Sequence, residues 1–209
     1  MNSALAALHR ADWRALGLAD YGRPGNYFGR QIERWSKQWA ASKTRENAGI
    51  DRLAEWLPAP VPPSDRDLDE TAICHGDFRL DNMIFHPEEP RVIGILDWEL
   101  ATLGHPLADL GYNCIPYNTS PQAYRGLLGR DLAALGIPDQ DAYVASYCAR
   151  TGRADGITPF HLAFALFRLA VILEGVLARA RAGNASSADA EAKGSLGLLL
   201  AERGWEIVR

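Results

Sequence analysis

One stretch constrains this chain more than any other: Ile73-Cys74-His75-Gly76-Asp77-Phe78-Arg79-Leu80-Asp81-Asn82, followed fifteen residues after Asn82 by Asp97-Trp98-Glu99. Thr71 to Cys74 reads as a short strand that delivers the loop His75 to Asn82. Met83 to Phe85 is a second strand, His86 to Pro90 a turn, and Val92 to Leu96 a third strand ending at Asp97. Pleated backbone of this kind holds Asp77, Asn82 and Asp97 in fixed relative positions, as a metal site requires. An aspartate and an asparagine five apart, with a second aspartate closing an apolar run, suit phosphoryl transfer. Asp77 takes the proton of an attacking hydroxyl, and Asn82 and Asp97 offer hard oxygens to magnesium. An isolated Gly-Asp pair would be only a tight turn, but here five specified residues (His75, Gly76, Asp77, Asn82, Asp97) coincide in one pattern.

Neighbouring polar residues divide between chemistry and support. Arg79 is a candidate for offsetting charge on the transferring phosphoryl group; a salt bridge to Asp81 or Glu99 is the competing reading. His75 is expected to hydrogen-bond backbone rather than act as a base. Asp109 is expected to tie the loop to the helix behind it. Arg168 and Glu174 lie in an otherwise apolar helix, six residues apart and about 120° around it, so they do not pair with each other. Buried charges are rarely unpaired, so each should find another partner or line an acceptor cleft, which is the reading taken for Arg168.

Around this centre the periodicity predicts helices over 4–16, 28–43, 50–57, 107–114, 122–135, 141–150, 158–181 and 190–203. Thr102 to Pro106 reads as a turn and Gly183 to Ala188 as a flexible connector. Ile32, Trp35 and Trp39 share one helical face, a packing pattern rather than a base-stacking platform. The acidic run Asp65, Asp67, Asp69, Glu70 reads as a solvated loop. No repeat and no composition shift marks a boundary, so residues 1–209 are expected to form a single domain. The hydrophobic fraction of 47% and charged fraction of 23% are those of a soluble globular protein. A net charge of -4 argues against a nucleic-acid footprint. Three scattered cysteines argue against a disulfide framework or zinc site and favour a reducing compartment. Met1 to Leu8 lacks a basic signal-peptide start, and Leu162 to Ala178 reads as too short and too charged to span a membrane. A cytoplasmic location is the expectation.

With these residues in place, HGDFRLDN and LDWELATLGHPLADLGY resemble the motifs of the aminoglycoside phosphotransferase family, and the Asp-x-x-x-x-Asn spacing resembles the protein-kinase catalytic loop. LHRADWRALGL, YGRPGNYFGRQIERWSKQW, EWLP and HGDFRLDNMIFHPEEP resemble more specifically the kinase domain fused to some acyl-CoA dehydrogenases and its free-standing bacterial relatives. The resemblance implies a protein-kinase-like fold, ATP and Mg2+ as cofactors, Asp77 as base, and Asn82 and Asp97 on the metal. The acceptor would be a small-molecule hydroxyl, of hydroxyacyl or hydroxyacyl-CoA type rather than an aminoglycoside. A complete member has an N-terminal lobe of roughly a hundred residues that clamps the nucleotide. No lysine precedes Lys37 and no glycine-rich turn precedes Ala4. The expected fold class is therefore α+β, mostly α: the C-terminal helical lobe, with a short β-hairpin carrying the catalytic loop. Alone it is expected to bind ATP weakly and to expose an apolar surface to an oligomer or partner. The alternatives are a catalytically inactive remnant working as a binding module, or half of a split kinase.

Overall fold

The computed structural model describes residues 1–184 and 190–209. In chain order the elements are α1 (Asn2–His9), α2 (Tyr27–Ser42), α3 (Ala48–Trp56), β1 (Ala72–Cys74), β2 (Met83–Phe85), β3 (Val92–Ile95), β4 (Thr102–Gly104), α4 (Pro106–Asn113), α5 (Ile115–Asn118), α6 (Pro121–Tyr124), α7 (Gln140–Thr151), α8 (Pro159–Arg181), α9 (Ala190–Ser195) and α10 (Gly197–Val208). They form two compact units. One comprises Met1–Tyr27, Pro63–Cys114 and Asp131–Ile157; the other comprises Phe28–Pro62, Ile115–Arg130 and Thr158–Arg209. Each unit is assembled from three interleaved segments, which is why no composition shift along the chain announces it.

The first unit carries both small sheets. β2 and β3 form the expected antiparallel hairpin, with Met83 opposite Ile95 and Ile84 opposite Gly94, and an irregularity between Ile84 and Phe85. β1 pairs antiparallel with β4, Ile73 opposite Leu103, so the segment expected as a turn at Thr102 to Pro106 begins as a strand. Its core gathers Leu5, Phe78, Met83, Leu107, Leu110 and Tyr147. α1 ends at His9, well short of the expected Leu16. Asp12 Oδ1 accepts the backbone N–H groups of Arg14 and Ala15 at 3.0 and 3.1 Å, a local turn that competes with helical bonding. Trp13 is consequently free to turn inward and donate Nε1–H to the carbonyl of Thr71 at 3.0 Å, while Leu16 is left exposed. The acidic run is not uniformly solvated: Asp65 is buried, and Glu70 pairs with Arg153.

α8 is the axis of the second unit and matches its expected bounds. Thr158 caps it, Pro159 takes its first position, and Thr158 N–H donates to His161 Nδ1 at 3.0 Å. At 23 residues it is long and apolar enough to cross a membrane by length and composition, which corrects the reading of that segment as too short; 89% of its most apolar window is buried within the protein, so core packing accounts for its apolarity. Ile32, Trp35 and Trp39 of α2 are buried, as their spacing requires. The final helix is two helices, α9 and α10, the second running on to Val208. A Cβ at Gly194 would lie 2.6 Å from Leu177, so α9 meets α8 at a distance only glycine permits. The expected helix over 122–135 reduces to one turn, Pro121–Tyr124. Arg125 adopts left-handed backbone (φ 45°) and Leu127 N–H turns back to the carbonyl of Pro116 at 2.7 Å. The expected connector over 183–188 falls outside the described residues from position 185 on.

Candidate active site

The loop after β1 is held by one face of one helix. α4 begins with His105 as cap and Pro106 at its first position, and presents Asp109, Tyr112 and Asn113, at i, i+3 and i+4, on the same side. The carboxylate of Asp109 accepts the backbone N–H groups of His75 (2.7 Å) and Gly76 (3.0 Å). Tyr112 donates its hydroxyl to Asp77 Oδ1 at 2.7 Å, and Asn113 Nδ2 donates to the carbonyl of Phe78 at 2.5 Å. Four consecutive loop residues are thus fixed to three side chains. Gly76 makes the turn possible: its φ is +83°, and a Cβ there would lie 2.7 Å from the carbonyl oxygen of Leu100. Phe78 plugs the loop into the core with no exposed surface.

Asp109 has a second tier of support. His9 lies 3.3 Å away through Nε2, and its Nδ1 is 2.7 Å from the hydroxyl of Tyr147. Burial pushes the Asp109 pKa up, but the hydrogen bond and charge of His9 and the two loop amides outweigh it and hold the carboxyl below its ordinary value. The ligand-type atoms of His9, Cys74 and Asp109 lie within 4.8 Å of one another. Since His9 bonds Asp109 and Tyr147, and Asp109 bonds the loop, the cluster reads as structural wiring.

His75 bridges the loop to the hairpin. Its Nδ1 accepts Asp77 N–H at 3.2 Å, and its Nε2 is 2.9 Å from the carbonyl of Leu96. Those partners select the tautomer with the proton on Nε2. Leu96 is pinned a second time, its N–H donating to the carbonyl of Asn82 at 2.9 Å. Asp97 therefore emerges one residue from a point bonded to both His75 and Asn82. It sits in left-handed backbone, φ 65° and ψ 59°, a conformation uncommon outside glycine and concentrated at functional positions.

Asp77 and Asn82 are brought into direct contact. Asn82 Nδ2 donates to Asp77 Oδ2 at 2.8 Å and to the Asp77 carbonyl at 2.9 Å. Both amide protons being used, the side-chain oxygen of Asn82 is left as an acceptor without a protein donor among the described residues. The exposed carboxylate of Asp97 likewise accepts no hydrogen bond there. One amide oxygen and one carboxylate, both hard donors and both open, fit the needs of a magnesium ion.

Arg79 contacts two carboxylates of this loop, Nε to Asp77 Oδ2 and NH1 to Asp81 Oδ2, each at 3.0 Å. Arg168 belongs to the second unit, is only 6% exposed, and lies with its guanidinium over the ring of Trp35, 5.5 Å from the centroid. Packing on an aromatic face is one contact that helps offset that charge. Glu174, fully buried, is paired: Arg45 meets it through Nε (3.0 Å) and NH2 (2.8 Å), and Asn47 Nδ2 donates at 3.0 Å. Four residues that shape the site were not singled out beforehand: Tyr112, Asn113, His9 and Tyr147. The first two were legible, sharing the helical face of Asp109. His9 and Tyr147 lie 138 residues apart and meet only in the folded chain.

A mostly helical chain whose small sheets carry an Asp–Asn loop against a supporting helix has the kinase-like fold of the phosphotransferases. Spectinomycin phosphotransferase, solved with ADP and spectinomycin, shares the fold at a TM-score of 0.59 and 14% identity, over 99% of this chain and 63% of that one. The chain belongs to the phosphotransferase enzyme family, whose model matches residues 1–154. It is 52% identical to an aminoglycoside-phosphotransferase-like protein of Ralstonia eutropha JMP134, at a TM-score of 0.92 over 99% of this chain and 62% of that one. Among curated proteins it is 42% identical to acyl-CoA dehydrogenase family member 10 of Mus musculus and 41% identical to the probable acyl-CoA dehydrogenase IBR3 of Arabidopsis thaliana. The matches cover 99% and 89% of this chain, but the chain spans only 19% and 24% of those relatives.

Proposed function

We propose that this chain is the helical, acceptor-side lobe of a small-molecule kinase that transfers the γ-phosphoryl group of ATP to a hydroxyl. The observation that carries this reading is the Asp77–Asn82 contact, which leaves the Asn82 amide oxygen open beside a well-held base, with Asp97 next in the chain after Leu96, whose N–H is bonded to the Asn82 carbonyl. Asp77 takes the proton of the acceptor hydroxyl as that oxygen bonds to phosphorus. The bond from phosphorus to the bridging oxygen breaks, and its electron pair leaves with ADP. Asn82 and Asp97 would hold Mg2+, which when bound neutralises charge on the phosphates. Arg79, about a third exposed and bonded to Asp77 and Asp81, would offset charge on the incoming phosphoryl group.

The similarity to two acyl-CoA dehydrogenase family proteins favours a hydroxyacyl or hydroxyacyl-CoA acceptor over an aminoglycoside. Parts of the longer relatives beyond the matched span would supply the remaining nucleotide contacts. A second reading, a module that works by binding, draws on the apolar side chains exposed along the hairpin: Leu80, Ile84, Phe85, Ile93, Leu96 and Trp98. In the catalytic reading the same surface is covered by nucleotide and by protein. The test is transfer of labelled phosphate from Mg2+·ATP to a panel of hydroxyacyl-CoA thioesters, free hydroxy acids and aminoglycosides, using the full-length natural protein. Labelling of a hydroxyacyl compound that falls on the order of 10²–10⁴-fold in Asp77→Ala is the expected result. Labelling undiminished by that substitution would overturn the assignment.

A further inference from the structure

We infer that Tyr112 is a positioning residue for the transfer step and that Oδ1 of Asp77 is the atom that accepts the proton. The inference rests on the reading of Asp77 as general base and goes beyond it. A carboxylate offers about four lone-pair directions, two on each oxygen. On Asp77, Oδ2 is occupied twice, by Arg79 Nε at 3.0 Å and Asn82 Nδ2 at 2.8 Å. Oδ1 is occupied once, by the hydroxyl of Tyr112 at 2.7 Å. Among the described residues three of the four directions are filled, and the one left belongs to Oδ1. The Asp77 side chain is 18% exposed, so the carboxylate is not sealed from solvent.

Tyr112 controls how that oxygen presents itself. Its own ring is nearly buried, and it sits on the face of α4 that also binds the loop through Asp109 and Asn113. The loop backbone is therefore placed by the other two residues, and the phenol adds one specific thing, the rotation of the Asp77 carboxylate. Without it the carboxylate pivots about its Oδ2 contacts, and Oδ1 loses its fixed direction. Loss of a single bond to an ionised group, expressed wholly in the transition state, corresponds to roughly a 10- to 150-fold drop in rate.

The experiment is a kinetic double-mutant cycle on the full-length natural protein, using the acceptor selected by the labelling panel. Tyr112→Phe is expected to lower kcat about 10- to 150-fold with the KM for ATP unchanged. In an Asp77→Asn background the same substitution is expected to change kcat less than about twofold, because the oxygen it orients no longer serves as base. Equal losses in both backgrounds, or none with Asp77 intact, overturn the inference. If Asp77→Asn alone costs nothing, or if the wild-type protein transfers no phosphate at all, the general-base reading itself is wrong and the inference goes with it. Melting temperature and the amide NMR spectrum establish that the variant is folded. Should Tyr112→Phe unfold, Tyr112→Met, which lacks the hydroxyl but fills apolar space adaptably, enters the same cycle.

Discussion

Replacing Asp109 by alanine should do more damage than replacing any residue proposed to do chemistry. The carboxylate is buried and takes the N–H groups of both His75 and Gly76, with His9 as a third neighbour. Hydrogen bonds to an ionised group contribute about 1.5–3 kcal/mol each, and a buried donor left without its partner keeps the full desolvation cost. Two stranded amides set the loss at about 3–6 kcal/mol, against a total stability of roughly 5–15 kcal/mol for a folded domain. With an m value near 2 kcal/mol/M, the urea midpoint should fall by roughly 1.5–3 M. Asp109→Asn keeps one oxygen and turns the other into a donor facing an N–H, so its loss should be about half. A chain of two units can unfold in more than one step, so the local assay is amide hydrogen exchange at His75 and Gly76. Those two amides should lose protection while amides in α8 of the second unit keep theirs. A midpoint within about 0.5 M of wild type, with both loop amides still protected, would refute the idea that this carboxylate anchors the loop.

Two further predictions concern titration and the second unit. The Asp109 carboxyl is held below its ordinary pKa in the folded protein, so the unfolded chain takes up the proton first. The stabilisation is fully present above the ordinary carboxylate pKa of about 3.9 and is lost as pH falls through the lower folded value. Urea midpoints followed from pH 6 to 2.5 should drop below about pH 4, and the drop should be shallower in Asp109→Asn; identical slopes would count against it. In the second unit, Arg45→Met leaves the Glu174 carboxylate buried with Asn47 as its one remaining partner among the described residues, and should cost about 3–5 kcal/mol. The double variant Arg45→Met/Glu174→Met should regain part of that in equilibrium unfolding, since a removed pair costs less than a broken one.

The candidate loop and its Asp77–Asn82 contact were legible in the sequence because the pattern that marks them is local. Asp77, Asn82 and Asp97 lie within 21 positions of one another, and residue types with a fixed chemistry at short spacing identify themselves. The same holds for α8, whose cap, proline and largely apolar run marked its extent, and for α2, whose tryptophans repeat at helical intervals. Periodicity failed where a single backbone event outweighed it: the Asp12 turn stopped α1 seven residues early, and left-handed Arg125 cut a fourteen-residue expectation to one turn. Local pattern measures the preference for helix but carries nothing about where tertiary contacts require the chain to leave it. Only the folded chain decided which carboxylates are wired and which stay open. Asp109 draws on His9, a hundred residues away, Glu174 draws on Arg45 at 129, and Tyr112 reaches Asp77 across 35. A buried charge must be paired, but its partner is chosen by distance in space, which sequence separation does not encode.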